Sequence, residues 1–367
     1  MRANAAYYRV RSEDMDAVLR EKKRKKLAAL LPAALTFALL AFPSLAAAGA
    51  ARGLRLCGTL VPALLPFMTL SAWASGAGAF SGGKLTGKLT RALFALPPAA
   101  ANAILSGWLC GYPAGARAAA REYEAGALTK AQAERLLTFC ACVSPSFAVG
   151  AVGVSLFGSA YAGFCIYAGA VISCLLIGVA GRFFAKKEPP RKAAAVKYES
   201  GFAEAVADGA ESMLKICVLT VLFGALIGVA EGTALGSLSA RAASAVKLAL
   251  ELTNGSAAAA VSGGFALCAA GAGFGGLCAL CQCAALTRTE GERLNVAPMF
   301  VSRVAHAALT ALFASLLLRL DGRAVGVFST LSDGVRAVPK VDNIPAAVVL
   351  LMLSATVLMK AYAKRGA

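Results

Sequence analysis

Apolar runs of about 20 residues, the length an α-helix needs to cross a bilayer, recur along this 367-residue chain. They lie at residues 27–48, 53–80, 136–157, 161–184, 207–230, 296–318 and 344–359. In hydrocarbon every backbone N–H and C=O must be paired, so such runs can only be helices. Hydrophobic residues make up 59% of the chain and charged residues 15%, against about a quarter charged in a soluble domain. The sequence is that of an all-α polytopic protein whose first partner is the lipid bilayer, and its expected location is the cell membrane.

The net charge of +18 does not point to nucleic acid. The basic residues form short clusters between apolar runs, at 22–26 and 182–197, and not a basic patch interleaved with aromatic residues. Such clusters mark cytoplasmic loops. Residues 1–26 read as a basic cytoplasmic N-terminus and 27–48 as a signal-anchor helix, too long and too far from the start for a cleaved signal. The eleven cysteines are scattered through apolar segments. Cys278, Cys281 and Cys283 come nearest to ligand spacing, but Cys281 and Cys283 point to opposite sides of a helix, and no second pair or nearby histidine completes a metal site. No metal and no cofactor is expected. Nor is an enzyme, since neither G-x-S-x-G nor paired catalytic carboxylates appear.

A polar, basic stretch with Pro-Pro at 185–205 divides the chain into a unit at 49–184 and a unit at 206–318, followed by a loop and last helix at 319–367. The units resemble each other. Leu54-Arg55-Leu56-Cys57 pairs with Leu214-Lys215-Ile216-Cys217, and Gly111-Tyr112-Pro113-Ala114-Gly115 with Gly271-Ala272-Gly273-Phe274-Gly275. Glu134-Arg135-Leu136 then pairs with Glu292-Arg293-Leu294, and Ser144-Pro145-Ser146-Phe147 with Ala297-Pro298-Met299-Phe300. An odd number of crossings in each unit makes the copies inverted, an arrangement recurrent in transporters. Two regions, 93–126 and 250–286, are apolar but interrupted by Gly, Pro, Asn or charge. Read as re-entrant hairpins they give about seven transmembrane helices plus two hairpins. Read as a full crossing, 250–286 raises the count to eight and brings the C-terminal tail inside.

The interruptions carry the candidate site. Proline lacks an N–H and clashes with the preceding helical turn. A break at membrane depth survives only inside protein or beside a wet cavity, where helix ends offer free N–H and C=O groups to a solute. The first hairpin would turn at Gly111, Tyr112, Pro113 and Gly115, and Ser144, Pro145 and Ser146 would interrupt the next helix, their hydroxyls answering the carbonyl that the proline frees. In the second unit Glu251, Asn254, Phe274, Gly275 and Gln282 lie beside Asn-Gly and glycine turns, and a carboxylate at that depth is a functional candidate. Glu251 could equally pair with Lys247 one turn earlier, and Asn102, Asn254 and Gln282 could bond between helices. Arg303 and the single histidine, His306, lie one turn apart, and packing is the plainer reading of both.

The order VPALLPF, SGWLCGYPAGAR, AERLLTFCACVSPSFAVGAVG, ELTNG, GFGGLCALCQ and RVAHA resembles the bacterial sporulation integral membrane proteins of the YlbJ type, which carry a nucleoside-recognition or Gate domain. That family is broadly similar to concentrative nucleoside transporters, with hairpins and broken helices in inverted repeats. The resemblance implies hairpin tips at Gly111–Gly115 and at residues 271–276, with Asn295 to Pro298 answering the break at Ser144–Ser146. It also implies a role in spore formation, in envelope or cortex assembly. Two functions compete: movement of a small polar solute, or a non-transporting membrane scaffold. A second copy of the chain is a candidate partner for either.

Overall fold

The computed structural model describes residues 30–77, 84–185, 201–288 and 293–320. The expected helix at 344–359 and the basic segment at 1–26 lie outside them. The described residues are helical, with no strand beyond an isolated bridge between Arg288 and Arg293. Among the described residues, four stretches are long and apolar enough to cross a membrane, or five if a bent pair counts as one. The expected run 27–48 is not one straight span: α1 (Leu30–Ala41) meets α2 (Pro43–Gly76) at a bend of 102°.

Beyond α2 the chain forms α3 (Lys84–Phe94), α4 (Ala100–Cys110), α5 (Tyr112–Glu124) and α6 (Lys130–Cys140). Next come α7 (Ser146–Phe157), wound as a π-helix over Ser146–Val154, and α8 (Ala160–Phe183). The second unit holds α9 (Phe202–Gly232), α10 (Ala240–Leu250), α11 (Leu252–Ser262), α12 (Gly264–Phe274), α13 (Gly276–Leu286) and α14 (Ala297–Leu320). Local chemistry sets many of these bounds. Thr129 and Gln132 form a capping box that starts α6, satisfying two orphan donors. Ser159 and Ser239 cap α8 and α10 with their hydroxyls. Pro298 sits in the first turn of α14, where its missing N–H costs nothing, so it makes no break there. Asn295 accepts from the Ala297 N–H, and its own N–H donates to Glu134 at 2.7 Å.

Two apolar clusters organise the packing. The larger one joins α4 to α8 with α10 to α14; the smaller lies between α2 and α9, around Cys57, Met68, Met213 and Cys217. Helices α2 and α9 run antiparallel, from Trp73 against Phe202 to Gly49 against Gly228. Gly49 and Gly53 on α2 face Gly224 and Gly228 on α9 with backbone against backbone. Small residues four apart allow this approach, which in lipid replaces the hydrophobic drive that water would supply. Helices α8 and α14 are likewise antiparallel, with Tyr161 bonded to the Leu317 carbonyl and Ser173 to His306.

Candidate functional site

Four interruptions of the helical backbone line one cavity. Between α4 and α5 stands Gly111 at φ 101°, ψ −179°, a conformation open only to glycine. Pro113 follows in the first turn of α5, where proline is tolerated. Residues 141–145 separate α6 from α7 because Pro145 can neither bond to nor clear the carbonyl of Ala141 four residues back. Glu251, extended at φ −148°, separates α10 from α11. Gly275, left-handed at φ 89°, separates α12 from α13. A Cβ on Gly275 would stand 2.8 Å from the Tyr112 ring, so space as well as φ requires glycine.

The cavity has a volume of about 90 Å³ and is partly open to the outside. It lies between the two apolar clusters. Leu60 of α2 and Ile216 and Thr220 of α9 form one wall. The other is built from the four breaks: Cys110 to Pro113, Val143, Ser144 and Phe147, Glu251 to Thr253, and Gly275 with Cys278, Ala279 and Gln282. The lining is mainly apolar with a few convergent polar groups, which is how small-molecule sites are made.

Glu251, Ser144 and Gln282 each have an identifiable partner. The Glu251 carboxylate caps α11, accepting from the Thr253 and Asn254 N–H groups at 2.8 Å each. It is 5% exposed and retains lone pairs for a further donor. Lys247 is not its partner: that ammonium reaches Glu231 at 2.6 Å. The Ser144 hydroxyl accepts from the Phe147 N–H at 3.3 Å and lies 3.1 Å from the Ser146 hydroxyl. Gln282 donates to the Cys278 sulfur at 3.4 Å. The first turns of α5 and α13 have no side-chain cap, which leaves N–H groups and the positive ends of two helices at the cavity.

The carbonyl freed by Pro145 is not answered by the serines. Arg303, 1% exposed on α14, donates to Ala141 at 2.9 Å and to Thr138 at 2.8 Å. The guanidinium also stands 5.9 Å from the centre of the Tyr112 ring. His306 Nε2 lies 2.8 Å from the same Thr138 oxygen, and Nδ1 lies 2.8 Å from the Ser173 hydroxyl. A carbonyl can only accept, so Nε2 carries the proton. Tyr112 in turn donates its hydroxyl to the Ala272 carbonyl at the end of α12, while Cys283 donates to the Tyr112 carbonyl at 3.3 Å. Arg303, His306 and Tyr112 thus terminate helices that would otherwise end unsatisfied in an apolar interior.

Of the residues singled out from sequence, Gly111, Tyr112, Pro113, Ser144, Glu251, Gly275 and Gln282 meet at the cavity. Gly115 instead packs under the Cys140 carbonyl, Pro145 stands at the N-cap of α7 and Ser146 begins it, and Phe274 packs against the larger cluster. Asn254 serves α11 through its backbone. Asn295 caps α14 away from the cavity, and Asn102 bonds to Glu122 at 2.8 Å within the α4/α5 pair. Sequence reading missed Cys110, Val143, Thr253 and Cys278, each within a few residues of a break. It also missed the wall on α2 and α9, which carries no polar signal beyond Thr220. Among the described residues no group of His, Cys, Asp and Glu is placed to hold a metal.

No protein-family model and no solved structure matches the chain. Over 128 residues it is 32% identical to the sporulation integral membrane protein YlbJ of Bacillus subtilis (strain 168). The match covers 35% of this chain and 31% of the relative, so about a third of the relative's length is represented. With that similarity and its apolar helices of spanning length, the chain is an integral membrane protein.

Proposed function

We propose that this protein is a permease-like membrane protein that moves a small polar solute through the cavity between α2/α9 and the broken helices, and that it serves spore formation. The observation carrying this reading is the convergence of four backbone breaks, drawn from both units, on one partly open cavity. Breaks are costly in lipid and persist where they line a wet site. The similarity to a sporulation protein supplies the biological setting, envelope or cortex assembly.

The reading extends to the expected repeat, with a changed correspondence. We take α2, α4/α5, α6/α7 and α8 as answered by α9, α10/α11, α12/α13 and α14. The second hairpin then turns at Glu251, and Gly264–Leu286 becomes a broken crossing. The antiparallel packing of α2 on α9 and of α8 on α14 supports this. So does a pair of matched contacts. The shift that carries Ser173 onto Thr310 also carries Gly169 onto His306, and Ser173 touches His306 while Gly169 packs against Thr310. By the positive-inside rule, the basic linker between α8 and α9 favours the cytoplasm for that end of the bundle.

The test is replacement of Ser144, Glu251 and Gln282 by alanine, one at a time, in a Bacillus subtilis strain lacking YlbJ and carrying this chain. Heat-resistant spore counts should fall about tenfold or more at normal protein level. Full function in all three variants would remove the cavity from the mechanism and favour the scaffold.

A further inference from the structure

The wall of the cavity formed by α9 has an ion-pair cluster at each end. Asp208, 15% exposed, pairs with Arg121 and lies 3.6 Å from Arg117, both on α5. Glu231 pairs with Lys247 on α10 at 2.6 Å and with Arg52 on α2 at 2.6 Å. The cavity residues Ile216 and Thr220 stand midway between the two carboxylates. At about 1.5 Å per residue the two clusters are about 35 Å apart, close to the thickness of a bilayer core of about 30 Å. Both clusters cross the seam between the two apolar clusters, as the cavity does. One ties the outgoing helix of the α4/α5 pair to α9, and the other ties the incoming helix of the α10/α11 pair.

We propose that these clusters are the latches of two gates, Asp208 with Arg117 and Arg121 closing the cavity toward one face of the membrane and Glu231 with Lys247 closing it toward the other. The proposal rests on the reading of the cavity as a solute site. Opening toward a face requires the hairpin on that side to leave α9, and the ion pair is what holds it there. A pair of charges between helices, partly shielded from water, gives the closed position a defined geometry.

The experiment uses a native thiol. Cys110 lines the cavity and is only partly buried, whereas Cys140, Cys174 and Cys217 lie in the packed interior. Membrane vesicles of either orientation are treated with a membrane-impermeant maleimide, and labelling of each cysteine is read by peptide mass spectrometry. Asp208→Asn should raise Cys110 labelling about fivefold or more from one face, and Lys247→Gln should do so from the opposite face only. Labelling of Cys140 and Cys174 should stay low, which separates an opened gate from an unfolded protein. If Asp208→Asn fails to fold, the Arg117→Gln/Arg121→Gln pair repeats the test from the other side of the latch. A converse variant, Arg121→Cys with Asp208→Cys, should abolish labelling from that face once oxidised. Labelling that responds to neither variant, or rises on the same face for both, overturns the latches and leaves the cavity standing. Cys110 unreachable from either face in every form overturns the solute site and the latches with it.

Discussion

Gly107, one turn before the break at Gly111, lies where α4, α5 and α6 cross most closely. A Cβ there would overlap the Cys140 carbonyl oxygen and stand 2.9 Å from its carbon and 3.0 Å from Gly115 Cα. All three are backbone, so the strain of Gly107→Ala cannot be relieved by a rotamer change; α4 must move off α6. Overpacking of this kind costs about 1–3 kcal/mol, and a backbone clash belongs at the upper end. Alanine returns about 1 kcal/mol of helix propensity, leaving a net loss of about 2 kcal/mol. Two other glycines calibrate the argument. Gly126 has φ 72° with nothing within 4 Å of where a Cβ would stand, so Gly126→Ala carries only the left-handed penalty of about 1 kcal/mol. Gly150 is helical with open space around it, so Gly150→Ala should be neutral or stabilising by about 0.5 kcal/mol. The assay is thermal unfolding followed with a thiol-reactive fluorogenic dye, since all cysteines but Cys110 and Cys281 are buried. At about 2 °C per kcal/mol for a chain of this size, Gly107→Ala should melt about 4 °C low, Gly126→Ala about 2 °C low, and Gly150→Ala at or above the parent. An order in which Gly150→Ala is the worst, or Gly107→Ala is harmless, refutes the packing argument and with it the placement of the hairpin tip.

Tyr112→Phe keeps the ring against Arg303 but removes the donor to the Ala272 carbonyl; it should cost about 1–2 kcal/mol in the same melt, and no loss would mean that α12 ends without it. The Cys57 and Cys217 side chains are hydrogen-bond neighbours between α2 and α9, so in a protein cut within 186–200 mild oxidation should join the two halves through these residues, and Cys57→Ser should abolish the join. Because Pro145 frees the Ala141 carbonyl that Arg303 occupies, Pro145→Ala should lessen the damage done by Arg303→Gln. A double-mutant cycle on stability should show coupling of about 1–3 kcal/mol, and strict additivity would break the link between proline and arginine.

The breaks could be read from sequence because their cause is local. Glycine and proline act on the backbone they occupy, and Gly111, Pro145 and Gly275 interrupt helices where the pattern places them, with Pro113 in the first turn after the break at Gly111. Glu251 and Asn254 misled for the same reason. Asn254-Gly255 looks like a helix end, yet Glu251 captures both first-turn N–H groups and turns the segment into a helix start. The Gly255 position is kept small by Leu248 across the pair, a tertiary demand with no local mark. The wall of the cavity on α2 and α9 was illegible because Leu60 and Ile216 differ in nothing but direction from the lipid-facing residues beside them. In the register proposed above, the match of 111–115 with 271–275 in the sequence would be a likeness of glycine turns only. The contacts of Ser173 and His306 set against those of Gly169 and Thr310 favour another register.

Arg303 shows how one interruption dictates the residues of a distant helix. A proline at 145 leaves the carbonyl of Ala141 without its usual donor, and the last turn of α6 leaves that of Thr138 as well. Both point into an interior without bulk water, where an unpaired carbonyl costs about 1–3 kcal/mol. A hydroxyl from the same turn cannot reach back past the break; Ser144 is taken up by the Phe147 N–H instead. The donor must come from a neighbouring helix, carry more than one N–H and tolerate the negative end of α6. A guanidinium meets all three conditions, and it sits on α14 one turn from His306, which shares the Thr138 oxygen. The cation at membrane depth is therefore explained by the backbone, not by a solute. The carboxylate at the cavity differs in this respect, because the cap on α11 uses two of the positions at which Glu251 can accept and leaves the rest facing the open space.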